Sequence, residues 1–88
     1  MSYKQEMKIM NSITVFTKNN CIQCKMTKRF LEEHNIDFVE KNTSENPEFV
    51  TYLKELGFKV VPVVEVEGAE SFTGFRPDCL NKLVAEFA

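Results

Sequence analysis

The segment Ser12-Ile13-Thr14-Val15-Phe16-Thr17-Lys18-Asn19-Asn20-Cys21-Ile22-Gln23-Cys24, continuing to Glu33, decides the fold. Ser12–Thr17 is rich in Ile, Thr, Val and Phe and reads as a strand buried on both faces. Lys18-Asn19-Asn20 is a loop, since Asn tolerates turn conformations. From Ile22 or Gln23 to Glu33 the spacing predicts a helix, with Met26 and Phe30 on one face and Leu31 beside them. Two cysteines therefore stand where a strand gives way to a helix.

That position carries chemistry. Free N–H groups and the helix dipole at a helix N-terminus favour an anion, and the thiolate is the reactive form of cysteine. Thiols so placed ionise with pKa values of roughly 3.5 to 7.5. Lys18 and Lys25 would strengthen the effect. Cys21 is expected to attack a substrate disulfide, and Cys24, one helical turn on, to resolve the mixed disulfide. The oxidised pair would be a redox-active disulfide. A zinc or iron–sulfur site needs more ligands than this pair, and His34, ten residues past Cys24, would stand about 15 Å away along the helix. No bound metal or cofactor is expected. His34 reads as a cation near a helix C-terminus, and Cys79 as a small apolar residue of the last helix.

The rest of the chain follows outward from this unit. Asn35 is a stop, after which Asp37–Lys41 can form a second strand. Asn46 and Pro47 read as the cap and first residue of a helix whose face is Phe49, Leu53 and Leu56, ended by Gly57. Val60–Val66 is a third strand containing Pro62, which implies a turn or a cis bond after Val61, or else an edge-strand proline. A cis bond would leave the backbone of Val61 open to pair with an extended peptide. Glu67-Gly68 turns the chain into a short strand at Ser71–Thr73. Pro77 opens a last helix with Leu80, Leu83, Val84 and Phe87 at helical spacing. The order β-α-β-α-β-β-α gives an α/β domain, a mixed four-stranded sheet flanked by three helices.

Eighty-eight residues make one such domain, placed at 12–88, with 1–11 as an extension. The opening Met1–Lys8 is polar and mixed in charge, unlike a secretory leader, and the longest apolar run is far too short for a membrane span. A cytoplasmic location and no membrane association are expected. A net charge of −2 argues against nucleic acid as a partner. The cysteine pair nonetheless lies in a basic stretch formed by Lys18, Lys25, Lys28 and Arg29. Three cysteines, one of them distant, do not make a disulfide-stapled secreted module.

Taken together, Thr17, the loop, the CxxC helix, Val61-Pro62 and Ser71-Phe72-Thr73-Gly74-Phe75-Arg76-Pro77 resemble the glutaredoxin-like NrdH-redoxins of the thioredoxin superfamily. The aliphatic residue and Gln between the cysteines, Ile22-Gln23, match the same family. The resemblance implies a thioredoxin/glutaredoxin-like fold and a monomeric dithiol carrier that is reduced by thioredoxin reductase with NADPH electrons. It implies electron delivery to class Ib ribonucleotide reductase. It also implies that Cys21 is the nucleophile and Cys24 the resolving thiol, with Thr17, Lys18, Gln23, Val61 and Pro62 shaping a groove. Phe72, Phe75 and Arg76 would stand near it, contacting partners or bracing the fold. Ordinary glutaredoxins, which use glutathione, carry Thr-Val-Pro and a Gly-Gly followed by acidic residues. Here Val60 precedes Val61-Pro62, and Gly74 is followed by Phe75-Arg76-Pro77-Asp78. A glutathione-dependent glutaredoxin is the alternative reading. The family often has Trp where Phe72 stands, so the aromatic surface is kept and the indole N–H is not.

Overall fold

The computed structural model describes residues 13–87, so the expected extension at 1–11 lies outside the described residues. A central strand, β1 (Ile13–Thr17), pairs in parallel with β2 (Val39–Asn42) and antiparallel with β3 (Val63–Val66). A two-residue β4 (Phe72–Thr73) closes the sheet in the order β2-β1-β3-β4. Three helices complete it: α1 (Ile22–Glu33), α2 (Glu48–Glu55) and α3 (Pro77–Phe87). The expected mixed sheet with three helices is the observed fold.

Alternation along β1 explains the layering. Ile13 and Val15 face the same way as their partners Val66 and Val64, and this face packs with Leu31 of α1 and Leu80 and Leu83 of α3. Phe16 and its partner Val63 face the other side, against Leu53 and Phe49 of α2. The Phe16 ring lies 5.5 Å from Tyr52 in a stacked arrangement and 6.0 Å from Phe49 edge-on. A strand covered on both sides has few solvent-facing positions, which is why β1 reads as an apolar run.

Helix ends obey local rules. Asn35 adopts φ 58° and Gly57 φ 93°, each just past its helix. In both cases the following residue donates its N–H back into the last turn, Ile36 to Leu31 at 2.9 Å and Phe58 to Leu53 at 2.9 Å. This double closure satisfies carbonyls that a helix end would otherwise leave open. At the start of α2 the structure departs from expectation. Pro47 is the cap residue, and no side chain caps the helix, Asn46 included. The side-chain oxygen used in this loop is that of Asn42, which accepts from the N–H groups of Ser44 and Glu45.

Three further expectations need correction. Met26 does not face the core; it is 43% exposed, and the buried face of α1 is Cys24, Thr27 and Leu31. Those residues sit at i, i+3 and i+7, a helical stripe that a polar Thr interrupts. Leu56 is 51% exposed because it is already the cap residue of α2. The third strand begins at Val63, since Pro62 has no N–H for the ladder and Val60 is solvent-exposed.

A polar brace joins β2, β1 and α1. Glu40 accepts a 2.7 Å hydrogen bond from the Thr17 hydroxyl and pairs with Lys28 at 3.0 Å. Burial tends to raise the Glu40 carboxyl, but the hydrogen bonds from Thr17 and Lys28 and the Lys28 charge prevail and lower it below its ordinary 4.5. A depressed carboxyl contributes stability that is fully present above the unfolded-state value and lost as pH falls through the folded one. In urea unfolding across pH, the wild-type advantage over Glu40→Gln should therefore hold at neutral pH and shrink below about pH 4.5. An advantage independent of pH down to pH 3 would remove this brace from the acid response.

Candidate active site

Thr17 ends β1, and Lys18-Asn19-Asn20 carries the chain over to α1. The crossing is held from the side of β2. Thr43 donates both its N–H and its hydroxyl to the Thr17 carbonyl at 2.8 Å. The Asn19 N–H donates to the Ser44 hydroxyl, and Asn42 donates to the Asn19 side chain. Asn20 takes φ 59°, a left-handed turn that Asn accepts more readily than other side chains. Cys21 is then delivered in extended conformation as the N-cap of α1.

Cys21 and Cys24 form a disulfide with their Cα atoms 5.2 Å apart. The Cys21 sulfur accepts the Cys24 N–H at 3.1 Å, so it occupies the place of a capping oxygen. No acidic residue lies in the first turn of α1 to oppose negative charge there. Cys21 is 9% exposed and Cys24 2%, so the first residue of the pair is the more accessible. Each feature favours a thiolate at Cys21 when the bond is open.

The register of β1 with β3 brings a second segment alongside. Phe16 pairs with Val63, so Pro62 follows beside the end of β1. The Val61–Pro62 bond is cis, and Pro62 is fully buried. The Pro62 carbonyl accepts the Gly74 N–H at 2.8 Å and the Thr73 hydroxyl at 3.1 Å. The same hydroxyl reaches the Val60 carbonyl. Among the hydrogen bonds of the described residues, none involves the N–H or carbonyl of Val61.

A third segment closes on the first two. Gln23, between the cysteines, accepts the Phe75 N–H at 3.2 Å through its side-chain oxygen. Gly74 takes φ 85°, and a Cβ there would come within 3.6 Å of that oxygen. That distance is ordinary contact, so it is the left-handed turn that calls for glycine here.

Of the residues singled out in the sequence, Gln23 and Pro62 are each hydrogen-bonded to the Gly74–Phe75 turn, and Cys21 is bonded to Cys24. Thr17 is 1% exposed and braces from below. Lys18 lines a hollow with Leu53, Phe58, Val60 and Val61. Phe72 and Phe75 pack against the core cluster while staying half-exposed. Arg76 makes a two-pronged, exposed ion pair with Asp78 at 3.2 and 3.3 Å. That contact holds the Asp78 carboxyl below its ordinary value. His34 caps α1, its ring stacked on Phe30 and its Nδ1 donating to the Phe30 carbonyl. Cys79 is a free, half-buried thiol.

The bracing residues Glu40, Asn42, Thr43 and Ser44 escaped the sequence reading. Their only signal was a polar cluster at the end of β2, where any loop would have one. Among the described residues no group of three or more His, Cys, Asp or Glu side chains could hold a metal ion. No helix among them is long and apolar enough to cross a membrane.

The glutaredoxin family model matches residues 13–70. The glutaredoxin-like protein NrdH of Lactococcus lactis subsp. cremoris is 51% identical over 71 residues, which are 81% of this chain and 97% of that protein. NrdH of Escherichia coli K12 is 44% identical, covering 81% of this chain and 86% of the relative. The solved structure of the Escherichia coli NrdH-redoxin, a protein described by its thioredoxin-like activity profile, superposes with a TM-score of 0.76 at 43% identity. It covers 82% of this chain and 93% of that one. With a CxxC disulfide at the head of α1 and relatives this close over most of its length, the chain belongs to the glutaredoxin-like NrdH-redoxins of the thioredoxin superfamily and is a thiol–disulfide oxidoreductase.

Proposed function

We propose that the protein is a cytoplasmic, monomeric electron carrier that supplies class Ib ribonucleotide reductase and is itself reduced by thioredoxin reductase using NADPH. The observation that carries the reading is the similarity to NrdH proteins across four-fifths of the chain. The thioredoxin-like activity profile of the Escherichia coli relative supports the choice of reductase.

In the reduced protein, Cys21 attacks one sulfur of the client disulfide as thiolate. A Cys21–client disulfide forms, and the other client sulfur leaves and takes up a proton. Cys24 loses its proton and attacks the Cys21 sulfur, closing the Cys21–Cys24 disulfide and releasing the second client thiol. Two electrons have passed to the client. The Cys24 N–H and the N-terminus of α1 stabilise Cys21 each time it carries charge.

Around the sulfurs, the groove is built from Lys18, Gln23, Val61 and Pro62, with Thr17 beneath and Phe72, Phe75 and Arg76 at its margin. The open backbone of Val61 offers one donor and one acceptor to an extended client segment. Ile22, 74% exposed, and Val60, 61% exposed, give apolar contact on either side. Lys18, Lys25 and Arg29, all exposed, favour a client with acidic residues near its disulfide.

Cys21→Ser should reduce disulfide reduction to background, whereas Cys24→Ser should accumulate client adducts visible on non-reducing gels. Equal partial losses in both variants would break the assignment of roles. NADPH oxidation in the presence of thioredoxin reductase and insulin should be rapid and dependent on Cys21. Turnover only with glutathione and glutathione reductase would make the protein a glutathione-dependent glutaredoxin instead.

A further inference from the structure

One buried side chain has no partner. Thr27 is 0% exposed, and among the described residues its hydroxyl is the buried side-chain polar atom without a hydrogen bond. Leaving such a group unpaired costs about 1–3 kcal/mol, and valine would fill the same volume without that cost. In a helix, a Thr hydroxyl ordinarily turns to the carbonyl four residues back, here that of Gln23. That bond is not made.

The position offers the hydroxyl another partner. Thr27 lies three residues after Cys24, and both belong to the buried face of α1. Residues at i and i+3 have Cβ atoms about 5–6 Å apart, and Sγ and Oγ1 each extend one bond from Cβ. In the oxidised protein the Cys24 sulfur has no proton to give and is a poor acceptor. Reduction changes this. A dithiol delivers two electrons and two protons, the S–S bond breaks, the dithiol closes to its own disulfide, and Cys24 becomes a buried thiol. A thiol one turn away on the same buried face can donate its S–H to the Thr27 oxygen, and once Cys24 ionises the hydroxyl can donate to the thiolate instead.

We propose that Thr27 is a positioning residue for Cys24, its hydroxyl unpaired while the disulfide is closed and satisfied by the Cys24 sulfur once it opens. The hydroxyl thereby favours the reduced state and makes the couple more oxidising than an apolar residue would. It also holds the resolving sulfur in place while Cys21 carries a client. The inference concerns the Cys21–Cys24 couple alone and is independent of which client or reductase the protein uses.

The test is a redox titration of the purified protein in dithiothreitol buffers, read by thiol labelling, together with thermal unfolding of both redox forms. Thr27→Val should shift the equilibrium about fivefold towards the disulfide, or roughly 20 mV at 29.6 mV per decade. The same variant should stabilise the oxidised form more than the reduced one. Thr27→Ser, which keeps the hydroxyl and loses a methyl group, should hold the wild-type potential even where both forms melt earlier. A Thr27→Val potential within a factor of 1.5 of wild type, or equal stability changes in the two forms, overturns the proposal. So does a Thr27→Ser potential that moves with that of Thr27→Val.

Discussion

The antiparallel register between β1 and β3 is the constraint on which the active site depends. Phe16 against Val63 and Val15 against Val64 place the end of one strand beside the beginning of the other. Both strands are buried on two faces, so a slip by one residue would turn Phe16 into the Leu31 side and Val15 into the α2 side. The same slip would carry Pro62 away from the end of β1. Core packing therefore fixes the relation of the proline segment to the cysteine helix, with no contact between the two segments required to specify it.

Hydrogen bonds then refine what packing has set. Gln23, the Pro62 carbonyl, Thr73 and the Gly74–Phe75 amides link three segments far apart in sequence. Each bond is modest alone, of the order of 1 kcal/mol. Their value is geometric, because each segment is already anchored in the core. On the opposite flank, Thr43, Ser44 and Asn42 hold the crossing loop, so Cys21 is approached from a frame tied down on both sides.

Much of this was legible in the sequence, and the reasons differ by residue. The cysteine pair was visible because its chemistry needs a helix N-terminus, and Ile, Val and Phe followed by two Asn mark the strand and the turn before it. Asn35 and Gly57 were visible because few residues accept a positive φ. Thr27 was not, because a pattern search for apolar positions passes over a hydroxyl and settles on Met26 next to it. Nor was Glu40, whose partners come from β1 and α1, 23 and 12 residues away. The bounds of β3 differ from those expected because strand propensity continues through Val60 and Val61, while the backbone ladder stops at the proline. Phe72, Phe75 and Arg76 were recognisable by resemblance alone; their spacing announces neither core nor surface.

The margins of the sheet have a bearing on crowding. One margin is β2, whose four residues include Glu40 and Lys41, the latter lying over the Phe16 and Phe49 rings. The other is β4, only two residues long. A charged margin and a very short one are poor templates for strand addition by another copy of the chain. Exposed apolar residues such as Ile22 and Val60 therefore lie on a molecule whose sheet margins discourage edge-to-edge pairing.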